Sequence, residues 1–341
     1  MSRKSKGKVY LRGLIELSNI CRKDCLYCGI RCSNKKVTRY ELSDEQVIEL
    51  SRYAMDNGYG SVVLQAGERC DGNYIERISR LVTDIKKIRR GGSVNALPLG
   101  ITLSLGEQTR EVYKEWHICG ADRYLLRIEA SNPELYSKIH PCHTEPQQKM
   151  HSYKTRLEAL YNLKSLGYIT GSGVMIGLPY QKRGDLDRDL EFFISFGVDM
   201  VGMGPYIPHK ETPLGKLSLG ADSSLPPDDG DFAGYSAEQR LLLSLEMIRR
   251  LRSLMPQINI AAATALEVLD PDGRGKAVLA GANVIMPNLT TVEMRRHYQL
   301  YEGKSGVMDD AESTGIKLES QMERVGAKIG WFEIGNPEKF L

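Results

Sequence analysis

No stretch of this chain approaches the roughly 18 consecutive apolar residues that a membrane helix requires. Its basic start, Met1-Ser2-Arg3-Lys4-Ser5-Lys6-Gly7-Lys8, leads into no apolar signal core, so no membrane or secretory role is expected. Neither sign of charge is in excess. With 46 basic against 43 acidic residues the net charge is +3, too balanced to suggest a nucleic-acid partner on charge alone. Cysteines number only seven in 341 residues, an odd count with none after Cys142. A disulfide framework is therefore disfavoured, and a reducing, cytoplasmic setting is expected. No internal repeat shows beyond a strand–helix rhythm. What remains, 26% charged and 41% hydrophobic residues, is an ordinary globular composition.

Three of the few cysteines are crowded into one stretch, Ile20-Cys21-Arg22-Lys23-Asp24-Cys25-Leu26-Tyr27-Cys28-Gly29, with spacing C-x3-C-x2-C. Three thiolates this close can hold three irons of a 4Fe–4S cluster and leave the fourth iron open to a small molecule. An ordinary ferredoxin loop adds a fourth cysteine, and a structural zinc site wants four closed ligands. Cys32 could be that fourth ligand, giving a non-catalytic iron–sulfur scaffold or carrier, or it could complete a zinc site. Neither alternative accounts for the motifs C-terminal to the cysteines.

Short apolar, β-rich runs alternate with amphipathic stretches. Strand candidates are Val9–Leu17, Ser61–Gln65, Gly100–Leu103, Arg123–Ile128, Gly171–Met175, Met200–Met203, Ile258–Ala262 and Asn283–Met286. Helical patterns include Asp44–Asn57, Tyr74–Arg90, Arg156–Leu166 and Asp185–Phe196. The alternation implies parallel pairing with right-handed crossovers. Eight such units predict an α/β fold, a (β/α)8 TIM-type barrel, with a doubly wound sheet as the alternative. The unusual residues come just after the strands, where barrel chemistry sits. The expected organisation is a basic tail over 1–8, a barrel over 9–305 and a C-terminal extension over 306–341. Two stretches, near 139–155 and 215–237, read as inserted loops. The first carries His140, Cys142, His143 and His151, but without recognisable zinc spacing. The second is rich in Gly, Ser, Pro and Asp and reads as a surface loop.

On these residues the chain resembles the radical S-adenosylmethionine (SAM) superfamily, in its biotin synthase-like branch, and within that the HydE group of FeFe-hydrogenase maturases. The resemblance rests on Gly13 through Arg31, Val63-Leu-Gln-Ala-Gly-Glu68, Thr102-Leu-Ser-Leu-Gly-Glu107, Gly120 through Arg127, Gly171 through Pro179, Asp199 through His209 and Gly281 through Asn288 with Tyr298 and Tyr301. It implies a cluster on Cys21, Cys25 and Cys28 that reduces SAM, cleaving it to methionine and a 5′-deoxyadenosyl radical. For the maturase group it implies radical attack at sulfur of a cysteine-bound iron carbonyl cyanide precursor. A reductant such as flavodoxin or ferredoxin, and other maturases, are the partners it implies.

By the same resemblance Tyr27, Gly67, Glu68, Ser104, Glu129, Arg156 and Ile176 are expected around SAM. Glu68 could instead be a helix N-terminal carboxylate favoured by the macrodipole. Arg12, Arg123 and Arg127 are expected to point into the barrel toward an anionic or carboxylate-bearing substrate, with Thr264, Met286 and Tyr298 as further cavity residues. Internal salt bridges with Glu16 or Glu129 are the competing account of the arginines.

The chain departs from the group at three places. Ile128 and Ala263 stand where a His and a Thr are expected, and put substrate identity in doubt. No accessory C-terminal cluster is expected, barring ligands from Cys32, Cys70, Cys119 or Cys142. The group's helical segment before the first strand is missing, which leaves the barrel bottom exposed unless another element covers it. A relative acting on a different organic or sulfur-containing substrate therefore stays open.

Overall fold

All but the first and third residues of strand β1, Lys8–Ser18, are buried. A strand buried on both faces needs such a near-continuous apolar run. The computed structural model describes residues 7–92, 97–141, 149–221, 224–303 and 311–340. Cys142, His143 and most of the basic tail lie outside the described residues. The further strands are β2 (Ser61–Ala66), β3 (Gly100–Ser104), β4 (Arg123–Leu125), β5 (Ile169–Ser172), β6 (Met175–Ile176), β7 (Met200–Pro205), β8 (Asn259–Ala262), β9 (Val284–Ile285) and β10 (Lys328–Ile329). The order β1-β2-β3-β4-β5-β7-β8-β9 is parallel throughout. It closes where Tyr10 pairs with Val284 and Leu11 with Ile285. The fold is thus the closed (β/α)8 barrel and not an open sheet.

Asn283–Met286 keeps only Val284–Ile285 and Ile258–Ala262 starts one residue late, and two further runs depart more from their sequence pattern. The run expected over Arg123–Ile128 keeps its ladder only to Leu125, and that over Gly171–Met175 divides into β5 and β6. The Arg127 guanidinium lies between them and donates to Val174 O at 2.9 Å and to Gly202 O. Carbonyls that accept from an arginine are lost to the neighbouring strand.

The helices form for local reasons and pack for tertiary ones. Ser43 and Ser236 make capping boxes with Gln46 and Gln239 for the helices Asp44–Asp56 and Ala237–Leu254. Asp71 caps Gly72–Lys87, whose buried Tyr74, Ile78, Leu81, Val82 and Ile85 face the barrel. Among the described residues no helix is long and apolar enough to cross a membrane. The second inserted stretch is pinned down: Asp228 Oδ1 accepts from Tyr180 N at 2.7 Å, and Tyr180 donates to Pro226 O at 2.6 Å.

The barrel floor is closed by the far end of the chain. After the helix Ala311–Arg324, β10 adds to β1 through Lys8–Lys328 and Val9–Ile329. The chain then turns under the barrel. Arg12 donates to Gly335 O at 3.1 Å, Asn259 to the same oxygen at 2.8 Å, and Arg123 to Ile334 O at 3.0 Å and to Asn336 Oδ1. Lys339 pairs with the buried Asp199. Gly335 takes φ +64, and a Cβ there would meet Tyr10 at 2.3 Å.

This corrects the expectation for Arg12 and Arg123. Both point inward, but at the opposite end from the cysteines. Among the described residues no carboxylate pairs with either; their acceptors are floor carbonyls, the Asn336 side chain and, for Arg12, Met200 Sδ at 2.9 Å. Burial, with Arg123 alongside, pulls Arg12 well below the usual range for arginine, and burial brings Arg123 to about 10. Deleting residues 330–341 should therefore cost at least about 3 kcal/mol, the penalty of stranding a buried charge. Urea unfolding checks this, and an unchanged midpoint would contradict the assigned role of the floor.

Candidate functional site: a three-cysteine loop at the barrel mouth

The loop after β1 is built before any ligand arrives. Arg39 donates to the carbonyls of Asn19, Ile30, Arg31 and Asn34, at 2.6 to 3.2 Å. Asn19 reaches Thr38 O at 2.8 Å and His297 O at 2.7 Å. Asp24 takes a two-pronged pair from Arg31, both arms at 2.7 Å, and also accepts from Ser33. Burial alone would raise the Asp24 carboxyl, but these partners hold it down to about 2.

Cys21, Cys25 and Cys28 are unbridged and partly buried in this frame. Burial, then the neighbouring Cys21, pushes the Cys25 thiol up to about 12, and Cys28 rises well above the ordinary thiol range through burial and its two cysteine neighbours. Three thiolates side by side at a partly buried site need positive charge, and a metal centre supplies it. Gly67 makes the room: a Cβ there would stand 2.6 Å from Cys21 Cβ and 2.4 Å from Ile20 O. Donor chemistry and space both fit an iron–sulfur cluster on this triplet. Burial and the Asp24 carboxylate push the Cys32 thiol up from the ordinary range. Cys70 accepts from Arg22 at 2.7 Å, and Cys119 caps the helix Arg110–Ile118.

A buried belt of charge surrounds the loop. Lys23 pairs with Glu107 at 2.8 Å and stands 3.6 Å from Glu68. Arg156 pairs with Glu107 from the other side. Glu68 accepts from Glu107 N at 2.8 Å and from Arg22 at 3.0 Å. It lies ahead of the Asp71 cap, so it is a belt residue and not a helix N-terminal one. Arg156, on the helix Tyr153–Ser165, is buried, unlike most helical arginines. Burial raises the Glu107 carboxyl, yet Arg156 and Lys23 outweigh it and hold it low.

Beyond the belt, Arg127 grips Glu129 with two bonds of 2.9 Å each. Glu129 has φ +64, held by bonds to Gly173 O at 2.9 Å and from Met175 N at 3.1 Å. A non-glycine residue held at positive φ is a mark of a functional site. Ser104 lies level with Gln65, which reaches the Tyr298 hydroxyl at 3.3 Å. Ile176 ends β6 and accepts from Tyr206 N at 2.8 Å. Tyr27 packs edge-on to His140, its hydroxyl 3.3 Å from His140 Nε2.

The structure thus gathers Tyr27, Gly67, Glu68, Glu107 and Arg156 around the cysteines, with Glu129 and Arg127 one step deeper. Met286 lies lower, in a small interior cavity shared with Arg12, and Thr264 is 3.5 Å from Arg274. Lys23, His140 and His151 join the site without being expected there. Lys23 had a signal, since it stands between two cluster cysteines. Ile128, which stands where the group carries a His, is fully buried in the apolar core. Adjacent residues of an extended segment point to opposite sides, so it alternates with the inward Arg127.

A family model described as the radical SAM superfamily matches residues 15–193. The [FeFe] hydrogenase maturase subunit HydE of Thermotoga maritima is 41% identical over 324 residues, covering 95% of this chain and 82% of that protein. The 3-methylornithine synthase of Methanosarcina acetivorans is 26% identical over 82% of this chain and 69% of its own length. Among solved structures, methylornithine synthase PylB superposes with TM-score 0.70 at 24% identity, covering 95% of this chain and 84% of that one. The hydrogenase maturase HydG gives TM-score 0.69 at 20% identity, covering 93% and 64%. With its closed barrel and three-cysteine loop, the chain belongs to the radical SAM superfamily, enzymes that use a 4Fe–4S cluster and SAM. Within it, the similarity to HydE spans nearly the whole chain.

Replacing Glu107 with Gln tests the belt. In the wild type its carboxyl titrates below the unfolded value of about 4.3, so the stability it adds is present above that pH and is lost as pH falls through the lower folded value. Glu107→Gln should be less stable at neutral pH and show a flatter loss of stability below about pH 4.3. Thermal unfolding against pH reads both. Identical profiles for the two proteins would contradict the ion-pair assignment.

Proposed function

We propose that this protein is a HydE-type maturase that acts on a cysteine-bound iron carbonyl cyanide precursor of the FeFe-hydrogenase active site. One observation carries the reading: 41% identity extending over 95% of the chain, far beyond the cluster loop. We further infer a cytoplasmic enzyme served by a small reductant protein such as flavodoxin or ferredoxin, with other maturases as partners.

Cys21, Cys25 and Cys28 would hold a 4Fe–4S cluster, and the chemistry it would supply when reduced is the one-electron cleavage of SAM to methionine and a 5′-deoxyadenosyl radical. The chain's part is to hold and shield the reactants. Glu68 and the Gly67 backbone offer acceptors to the SAM ammonium group. Arg156 can turn a bidentate face to its carboxylate, and Lys23 then keeps Glu107 neutralised. Ser104 and Glu129 are placed for the methionine or ribose, with Tyr27 and Ile176 for the adenine. Arg127 is the substrate arginine of this mouth, with Thr264, Met286 and Tyr298 as further lining. Arg12 and Arg123, which take partners in the floor, are left out of this reading.

A second reading has its own support. The similarity to 3-methylornithine synthase extends over 82% of the chain, so the same radical generator could serve a carbon-centred substrate. Because Ile128 packs in the apolar core, it no longer weighs for that reading.

Anaerobic reconstitution followed by dithionite and SAM should yield 5′-deoxyadenosine, and Cys25→Ala should abolish it. Turnover retained by that variant would refute the ligand assignment, and no product from the wild type would leave only a scaffold. Arg127→Leu should keep its iron yet lose product from an iron–cysteine substrate by about tenfold or more, the worth of one charge-assisted hydrogen bond. Unchanged product formation would remove Arg127 from substrate binding.

A further inference from the structure

The described end of the first inserted stretch is sewn into the site. Met150 O accepts from Lys23, and His151 Nε2 accepts from the backbone N–H of Asp24 at 3.2 Å. His151 is only 5% exposed. One ring nitrogen each of His140 and His151, together with the Cys25 sulfur, lie within 4.8 Å of one another.

Such a trio invites a metal, but the hydrogen bonds argue otherwise. His140 Nδ1 donates to Tyr136 O at 2.8 Å, so its lone pair sits on Nε2, which takes the Tyr27 hydroxyl. In His151 the lone pair is on Nε2 and is spent on Asp24 N–H, which places the ring proton on Nδ1. That Nδ1 is buried and has no hydrogen-bond partner among the described residues. A buried orphan donor is costly. The Cys25 sulfur, within 4.8 Å of a His151 ring nitrogen, is the candidate acceptor.

We propose that His151 donates its Nδ1–H to the Cys25 thiolate of the cluster and thereby raises the cluster's reduction potential. The proposal rests on the cluster assignment made above. Reduction adds negative charge to the sulfurs, and a donor aimed at one of them favours the reduced form. His151 is thus a positioning and tuning residue, supplied by the insert. His140 has a separate task, orienting the Tyr27 ring.

The test uses the full chain, reconstituted without oxygen, as wild type, His151→Leu and His151→Asn. Iron content should be the same in all three. Redox titration followed by EPR should show a more negative potential for His151→Leu. Asn carries an amide N–H near the place of Nδ1 and should recover most of the shift. Equal potentials at equal iron content would overturn the proposal. Should the Leu variant fail to assemble, pulsed EPR of the reduced cluster in the wild type and in His151→Asn decides. An exchangeable proton coupling in the wild type that changes in His151→Asn supports the donor; a strong nitrogen coupling from a bound imidazole, or no coupling, overturns it. A wild-type protein that takes up no iron defeats the cluster assignment itself, and the proposal with it.

Discussion

A guanidinium buried without an acceptor is costly, and this barrel encloses several. How each one is answered organises the molecule from end to end. At the mouth, Arg156 and Lys23 share Glu107, and Arg127 takes Glu129 in a two-pronged grip. At the floor, Arg12 and Arg123 take carbonyls from the last turn of the chain. The mouth is answered with carboxylates, which a charged ligand can displace or borrow. The floor is answered with backbone carbonyls, the Asn336 side chain and the Met200 sulfur, all supplied by the chain itself. The same residue type thus marks a site at one end and a seal at the other.

The mouth itself is a problem of crowded negative charge. Three thiols in a pocket that raises their pKa values resist ionising until a metal arrives. The frame around them is rigid in advance through Arg39, Asn19 and Asp24. Binding then spends little on ordering the loop, and the free energy of ligation goes into the thiolates.

Much of this is legible in the residues. The C-x3-C-x2-C spacing, the glycine before Glu68 and the strand–helix rhythm are local features, and local features survive in a linear reading. Arg12 and Arg123 are legible as inward and buried, because arginines on a barrel strand stand out. Their partners are not, since Arg12 and Gly335 are separated by 323 residues. Ile128 misleads for a simpler reason: two neighbours on an extended chain cannot both face the barrel. The carbonyls that accept from Arg127 leave no trace in strand propensity, so propensity misses the break between β5 and β6.

What the sequence determined by itself was the chemistry available: three thiols at ligand spacing, parallel strand units, and charged side chains on strand ends. Tertiary structure decided which of those groups meet. Closure of the ring set one end of the barrel as a mouth, and the C-terminal segment made the other a floor. The approach of an inserted segment to the cysteine loop placed His151 beside Cys25. Burial and distance are properties of the packed chain, and they alone separate a ligand-facing arginine from a structural one.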